Sequence, residues 1–276
     1  MGDPARPSHA APLEPGALPP FYACTHLAET GSTNDEAKAL AASGAPEGTL
    51  IWADRQTAGR GRRGRAWQSP MGNLYASLVL RPSAPLGQVG QLGFAAALAI
   101  AETATMLLPP GTVVECKWPN DVLIGGRKAA GLLLETDSRT DGTAAWLVLG
   151  FGINVASHPE GMEFPATSLA AGGGKAEVAE VLARFAERFL AWYQIWRDSG
   201  FTPLRAAWLA RAAGLGQPIR VRLENRSLEG VFNGLDADGA LLLHSAGQGS
   251  KEPAQRITAG DIFFPDAITP LRTQAG

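Results

Sequence analysis

The sequence predicts an α+β protein: a mixed β-sheet with helices packed on it, followed by a small C-terminal β-barrel. Three observations carry this expectation. Most candidate strands follow one another directly, with helices grouped around them and no βαβ alternation. Two amphipathic stretches, 175–196 and 201–213, make a helical block. After Gly214 the chain turns to short strands, five in about fifty residues, joined by turns such as Asp238-Gly239. The expected organisation is a proline-rich disordered arm at 1–20, a main domain at 21–214, the barrel at 215–266 and a tail at 267–276.

The elements follow in order. Residues 21–29 read as a first strand, and Ser32-Thr33-Asn34-Asp35-Glu36 as a helix start. Thr33 and Glu36 have capping-box spacing, and Gly44 is placed to end the helix. A short β-rich run at 49–54 leads into Gln56 and the loop GRGRRGR at 59–65. Pro70 and Gly72 keep the chain irregular until a strand at 73–81. The apolar stretch 92–108 reads as a buried core helix, because it falls short of the roughly 20 apolar residues that a membrane span needs. Pro109-Pro110-Gly111 stops it. Strands at 113–118, 122–124, 128–136 and 145–155 make a meander, which allows Lys117 and Lys128 to lie on adjacent strands. The barrel strands are expected at 218–224, 227–236, 240–244, 255–258 and 262–264.

Composition narrows the function classes. Charged residues are 18% and hydrophobic residues 45%, which excludes bulk disorder. The net charge of −2 argues against a broad nucleic-acid-binding face, so no DNA partner is expected. Cys24 and Cys116 stand far apart, and His9, His26, His158 and His244 are scattered, so no disulfide framework or zinc site is suggested. The first twenty residues hold six prolines and no apolar signal segment, which makes a cytoplasmic location the expectation and a membrane partner unexpected.

The charge is local. Arg55, Arg60, Arg62, Arg63 and Arg65 put five of the 24 basic residues within eleven positions. Guanidinium forks match phosphate and carboxylate oxygens, and the intervening glycines allow close backbone approach. Gly59 to Gly64 formally matches G-x-G-x-x-G, but Pro70 and Gly72 prevent the helix that a dinucleotide fingerprint requires. A solvated basic loop is the plainer alternative. A second cluster is Lys117-Trp118-Pro119-Asn120-Asp121 with Arg127-Lys128-Ala129-Ala130-Gly131. Two lysines and four arginines around one cleft repel one another unless an anion lies among them. In Gly150-Phe151-Gly152-Ile153-Asn154, small residues alternating on an apolar strand signal either tight sheet packing or close approach of a backbone or flat ligand. Ser32-Thr33-Asn34 fits helix capping, ligand contact or both.

In their order and spacing these elements resemble biotin protein ligases, over residues of about 22 to 265. The resemblance implies a biotin/lipoate ligase-like catalytic domain with an SH3-like C-terminal domain. It implies a two-step reaction in which biotin and ATP give biotinoyl adenylate, and a carrier lysine takes the biotinoyl group. On the family's pattern, Ser32, Thr33, Asn34, Gln56, Arg60, Gly61, Arg62, Lys128 and Gly131 bind biotin. Arg63, Arg65, Trp67, Lys117, Asn120 and Asn154 serve the nucleotide. Lys128, Arg60, Arg62 and Asp121 form the catalytic group, and Asp121 could hold Mg²⁺ or orient or deprotonate the acceptor lysine. The implied partner is the biotin carboxyl carrier domain of acetyl-CoA carboxylase and related carboxylases; a homodimer is left open. The arginine loop has little apolar surface and is expected to order on ligand binding.

Two departures from the family pattern stand out. Only about twenty residues precede the first strand, which argues against the repressor role of members with an N-terminal DNA-binding domain. The last strand, Gly260-Asp261-Ile262-Phe263-Phe264-Pro265, lacks the arginine that some members place beside the nucleotide, leaving Arg256 as a weak substitute. A lipoyl or octanoyl ligase of the same fold, and a non-enzymatic nucleic-acid-binding protein, are the alternatives.

Overall fold

The computed structural model describes residues 13, 17–244 and 253–264. Most of the expected arm, the tail at 267–276 and the barrel's last residues 265 and 266 lie outside the described residues, as does His9.

A seven-stranded sheet forms the main body. Its strands are β1 (Ala23–Thr30), β2 (Thr49–Gln56), β3 (Leu74–Leu80), β4 (Val114–Lys117), β5 (Asp121–Ile124), β6 (Arg127–Ser138) and β7 (Ala144–Ile153), in the order β1-β2-β3-β7-β6-β5-β4. Only β1 and β2 run parallel, with helix α1 (Thr33–Ala42) as their crossover, so the sheet is mixed. The β4–β7 meander has the expected order, but β5 separates Lys117 on β4 from Lys128 on β6. Lys117 is paired in register with Asp121, and Lys128 with Leu123. The two lysines are therefore not on adjacent strands, and an aspartate stands between them.

Helix α1 starts differently from its sequence signature. Ser32 is the N-cap, and Glu36 accepts a 2.8 Å hydrogen bond from the Thr30 hydroxyl in place of closing a capping box on Thr33. Gly44 does follow the helix end with a positive φ of 91°. A short helix α2 (Leu86–Val89), not foreseen, runs into α3 (Leu92–Leu107). The segment Leu86–Leu107 is long and apolar enough to cross a membrane, yet 78% of its most apolar window is buried inside the protein, as a core helix requires. Helix α4 (Val178–Ser199) packs on α3 and carries Phe185, Phe189, Tyr193 and Trp196 at helical spacing. Successive ring centroids are 5.7, 5.9 and 6.2 Å apart. Burying each ring contributes about 1.5–3 kcal/mol, which makes this column a main support of the sheet's packed face. Helix α5 (Phe201–Leu209) completes the block.

The C-terminal module is a five-stranded antiparallel sheet, β8 (Pro218–Arg222), β9 (Ser227–Leu235), β10 (Leu241–His244), β11 (Gln255–Ile257) and β12 (Asp261–Phe263), ordered β11-β10-β9-β8-β12. It is the small SH3-like fold expected. It is fastened to the main body where Trp118 donates its indole N–H to the Gly239 carbonyl at 3.1 Å, with the Phe94 ring packed against that same glycine. This attachment brings β8 and β12 to the rim of the cavity formed by the meander and the arginine loop.

Candidate active site

A cavity of about 440 Å³ lies between the N-terminus of α1, the middle of β6 and β7, the arginine loop and the barrel. One end is polar and neutral. Thr33 donates to Gln56 Oε1 through both its backbone N–H (2.9 Å) and its hydroxyl (3.1 Å). Gln56 Nε2 donates to Ser69 Oγ at 3.0 Å. Ser77 Oγ lies 2.9 Å from Thr33 Oγ1 and 2.5 Å from Asn34 Oδ1. Asn34 in turn donates to Glu135 at 2.8 Å. Ser32, Thr33, Asn34 and Ser77 are buried, and the network holds the last three each in one orientation.

The glycines of GFGIN have a definite purpose here. A Cβ on Gly150 would come within 1.9 Å of Asn34 Oδ1, and one on Gly152 within 2.6 Å of the Trp67 indole. The close approach is made by the protein's own Asn34 and Trp67 side chains. Trp67 also covers Gly131, and its buried Nε1 has no hydrogen-bond partner. A buried orphan donor on a cavity wall is a place for a ligand acceptor or a water.

The other end is charged. Asp121 Oδ1 is 2.6 Å from Lys128 Nζ, and its Oδ2 is 3.6 Å from Lys117 Nζ. Burial holds the Lys117 ammonium below its ordinary pKa, and the Asp121 charge opposes that shift only in part. Lys128 also lies 5.4 Å from the Trp67 ring. Asn120 is committed on both sides: its amide donates to the Leu132 carbonyl (2.7 Å) and its oxygen accepts from Arg62 (3.1 Å). Asn154 donates to the Thr167 carbonyl at 2.9 Å.

The arginine loop is folded over this end as a bridge between Arg60 and Ala66 with a 3₁₀ turn at Arg62–Gly64. Its charge is met by two carboxylates, one at the start of α1 and one on the last strand, that the sequence does not mark as its partners. Arg60 makes a bidentate pair with Asp35 at 2.6 and 2.8 Å. Asp261 of β12 lies 2.5 Å from Arg65, 3.6 Å from Arg63 and 3.9 Å from Arg62. Burial pushes the Asp261 pKa up, but the Arg65 hydrogen bond and the charges of Arg65, Arg62 and Arg63 outweigh it and hold the carboxyl below its usual range. Burial lowers the pKa of Arg62.

The expected site residues Ser32, Thr33, Asn34, Gln56, Arg60, Gly61, Arg62, Arg65, Trp67, Lys117, Asn120, Asp121, Lys128, Gly131 and Asn154 all line this cavity. Arg63 does not; its backbone is left-handed (φ 56°), and its side chain is held outside by Asp261. Arg256 pairs with Asp236 and with Asp238 and also lies off the cavity. The barrel instead contributes Asp261, Arg222 and Phe263, none of which was expected in the site. Among the described residues no three of His, Cys, Asp or Glu are grouped for a metal, and Asp121 is already shared by two lysines.

Residues 18–210 match the biotin/lipoate A/B protein ligase family profile, and residues 214–264 match the biotin protein ligase C-terminal domain. The chain belongs to this family. The biotin–[acetyl-CoA-carboxylase] ligase of Paracoccus denitrificans is 40% identical over 246 residues, covering 86% of this chain and 99% of the relative. The ligase of the same name from Mycobacterium tuberculosis is 34% identical, covering 86% of each chain. Among solved structures, the biotin protein ligase of Aquifex aeolicus in complex with biotin and ATP superposes with a TM-score of 0.72 at 28% identity, covering 87% of this chain and 97% of that one.

Proposed function

We propose that this biotin protein ligase uses the cavity for both steps of an ATP-dependent transfer. A biotin carboxylate oxygen attacks the α-phosphorus of ATP, the bond to the β-phosphate breaks, and pyrophosphate leaves. The amine of a carrier lysine, belonging to a carboxylase such as acetyl-CoA carboxylase, then attacks the biotinoyl carbonyl carbon and AMP leaves. The observation that carries this reading is that one cavity joins a rigid neutral polar end to a cationic end, with Lys128 on the strand that borders both.

The division suits the chemistry. The ureido ring of biotin is neutral and offers both donors and acceptors, which the Thr33, Asn34, Gln56 and Ser77 network can match without burying a charge. The reacting groups are both anions, so positive charge has to be in place where they meet. Lys128 and Arg62 supply it at the carboxylate and α-phosphate, and Lys117 along the nucleotide. Asp121 keeps the two lysines together while no substrate is bound. Mg²⁺, where it takes part, arrives with the phosphates of ATP.

Biotin-dependent exchange of pyrophosphate into ATP, run beside lipoate, tests the reading. Exchange with biotin and none with lipoate is expected. Exchange with lipoate alone would replace it with a lipoyl ligase, and salt-sensitive nucleic-acid binding without ATP turnover would remove enzymatic function.

A further inference from the structure

Arg222 on β8 stands at the end of a chain of cationic contacts. Lys128 and Lys117 share Asp121. The Lys117 ammonium then lies 4.0 Å from the centre of the Phe164 ring and 5.9 Å from that of Phe263. The Arg222 guanidinium packs on the same Phe263 ring from 4.5 Å. Strand register holds Arg222 there, opposite Asp261 and 4.0 Å from its carboxylate. Three cations are thus linked through one carboxylate and one aromatic ring along the cavity wall.

The counter-ions differ along this chain. Lys117 and Lys128 rest on Asp121, whose side chain is 12% exposed. Arg222 pairs with Glu163, in the segment between β7 and α4, at 2.7 and 2.9 Å, and the Glu163 side chain is 64% exposed. An ion pair so open to water is worth only about 0–1 kcal/mol. A phosphate chain carries more charge, and its oxygens match the same guanidinium fork.

We propose that Arg222 is the outer phosphate-binding residue of the nucleotide site, taking the β- and γ-phosphates of ATP and the pyrophosphate they become, with Glu163 as its counter-ion in the nucleotide-free protein. The assignment rests on the adenylation reading and extends it to the barrel. It also gives the SH3-like module a part in substrate binding through β8, where the β12 segment supplies an aspartate and a ring but no cation.

The test uses the full chain and compares Arg222→Ala, Arg222→Lys, Glu163→Gln and, as a control on the barrel, Arg256→Ala. Two quantities are read: the KM for ATP in pyrophosphate exchange, and the Kd of a non-hydrolysable biotinoyl-adenylate analogue, which has an α-phosphate but no β or γ. Arg222→Ala is expected to raise the KM for ATP about tenfold, the loss of one charge-assisted phosphate contact, while the analogue's Kd moves less than about twofold. Arg222→Lys should fall between, because a point charge survives without the fork. Glu163→Gln should lower the KM for ATP about twofold to fivefold by removing the competing carboxylate. Arg256→Ala should match the unaltered chain.

An unmoved KM for ATP in Arg222→Ala, an equal rise in the analogue's Kd, or a raised KM in Glu163→Gln overturns the assignment. Should Arg222→Ala fail to fold, the Lys and Gln variants decide it. No exchange in the unaltered chain would overturn the adenylation reading itself. Normal exchange with unmoved variants overturns only the role of Arg222.

Discussion

The two ends of the cavity solve the problem of burying polarity in different ways. At the neutral end, Thr33, Asn34, Gln56 and Ser77 come from α1, β2 and β3 and are joined to one another by hydrogen bonds. At the charged end, Lys117, Lys128 and the loop arginines cannot satisfy each other, so carboxylates reach them from other elements: Asp121 from β5, Asp261 from β12 and Asp35 from α1. Neutral groups can be fixed before any ligand arrives. Charges of one sign need partners in the empty site, and those partners must yield or share when an anionic substrate enters. The comparison separates recognition, which is preformed, from reaction, which works by exchange of counter-ions.

The largest break in that division comes from Lys128→Ala. Removing one preorganised charge from the α-phosphate should slow adenylation about 10²-fold or more, read as pyrophosphate exchange at saturating biotin and ATP. The alcohol analogue of biotin, which keeps the ureido ring and lacks the carboxylate, should bind the variant as it binds the unaltered chain. Weaker binding of that analogue would show that the two ends are not independent.

How much of this was legible in the sequence follows the same line. The polar trio at 32–34 stands out as a local signal at a helix start, Gln56 enters only through the family resemblance, and the meander with KWPND shows by its own alternation and turn residues. The partners of the charges do not. Arg65 and Asp261 are 196 positions apart, and Arg222 and Glu163 are 59 apart. Buried Ile219 and Val221 do place Arg220 and Arg222 on one outward face of β8. That alternation shows a cation displayed, but only the docking of the barrel through Trp118 and Gly239 shows toward what. The same docking displaces Arg256 from consideration and leaves Arg63 outside the cavity.

A smaller effect is expected from Asp261→Asn, which takes the shared carboxylate from Arg62, Arg63 and Arg65. The loss should be about 1 kcal/mol of stability near neutral pH, at the low end for a charged hydrogen bond because Arg63 and Arg65 are largely open to water. The sign follows from the lowered pKa. A carboxylate bound more tightly to its charge in the folded state stabilises the fold above its unfolded pKa of about 3.9, and that contribution fades as pH falls through the lower folded value. Denaturation midpoints of the two proteins should therefore differ by a constant amount above about pH 5 and converge below about pH 4. A gap that widens in acid would mean that Asp261 is not the anionic centre of the cluster.

Asp35→Asn probes the opposite anchor of the loop and should do least. The Arg60–Asp35 pair is bidentate, yet the side chains are 37% and 48% exposed, so water screens most of its attraction. Its carboxyl is held below the usual range, first by the Arg60 hydrogen bond and also by Lys38, which Glu135 shares. Because Glu135 also accepts from Asn34, this small network connects the loop's charge to the neutral end. Proteolysis at the arginine loop of the ligand-free variant should quicken about twofold to fivefold, the worth of an exposed pair. If the two ends are independent, the KM for biotin stays unchanged in the same variant. A shift in biotin binding as large as the gain in cleavage would make the Asp35–Lys38–Glu135–Asn34 chain the link by which loop position is sensed at the ring.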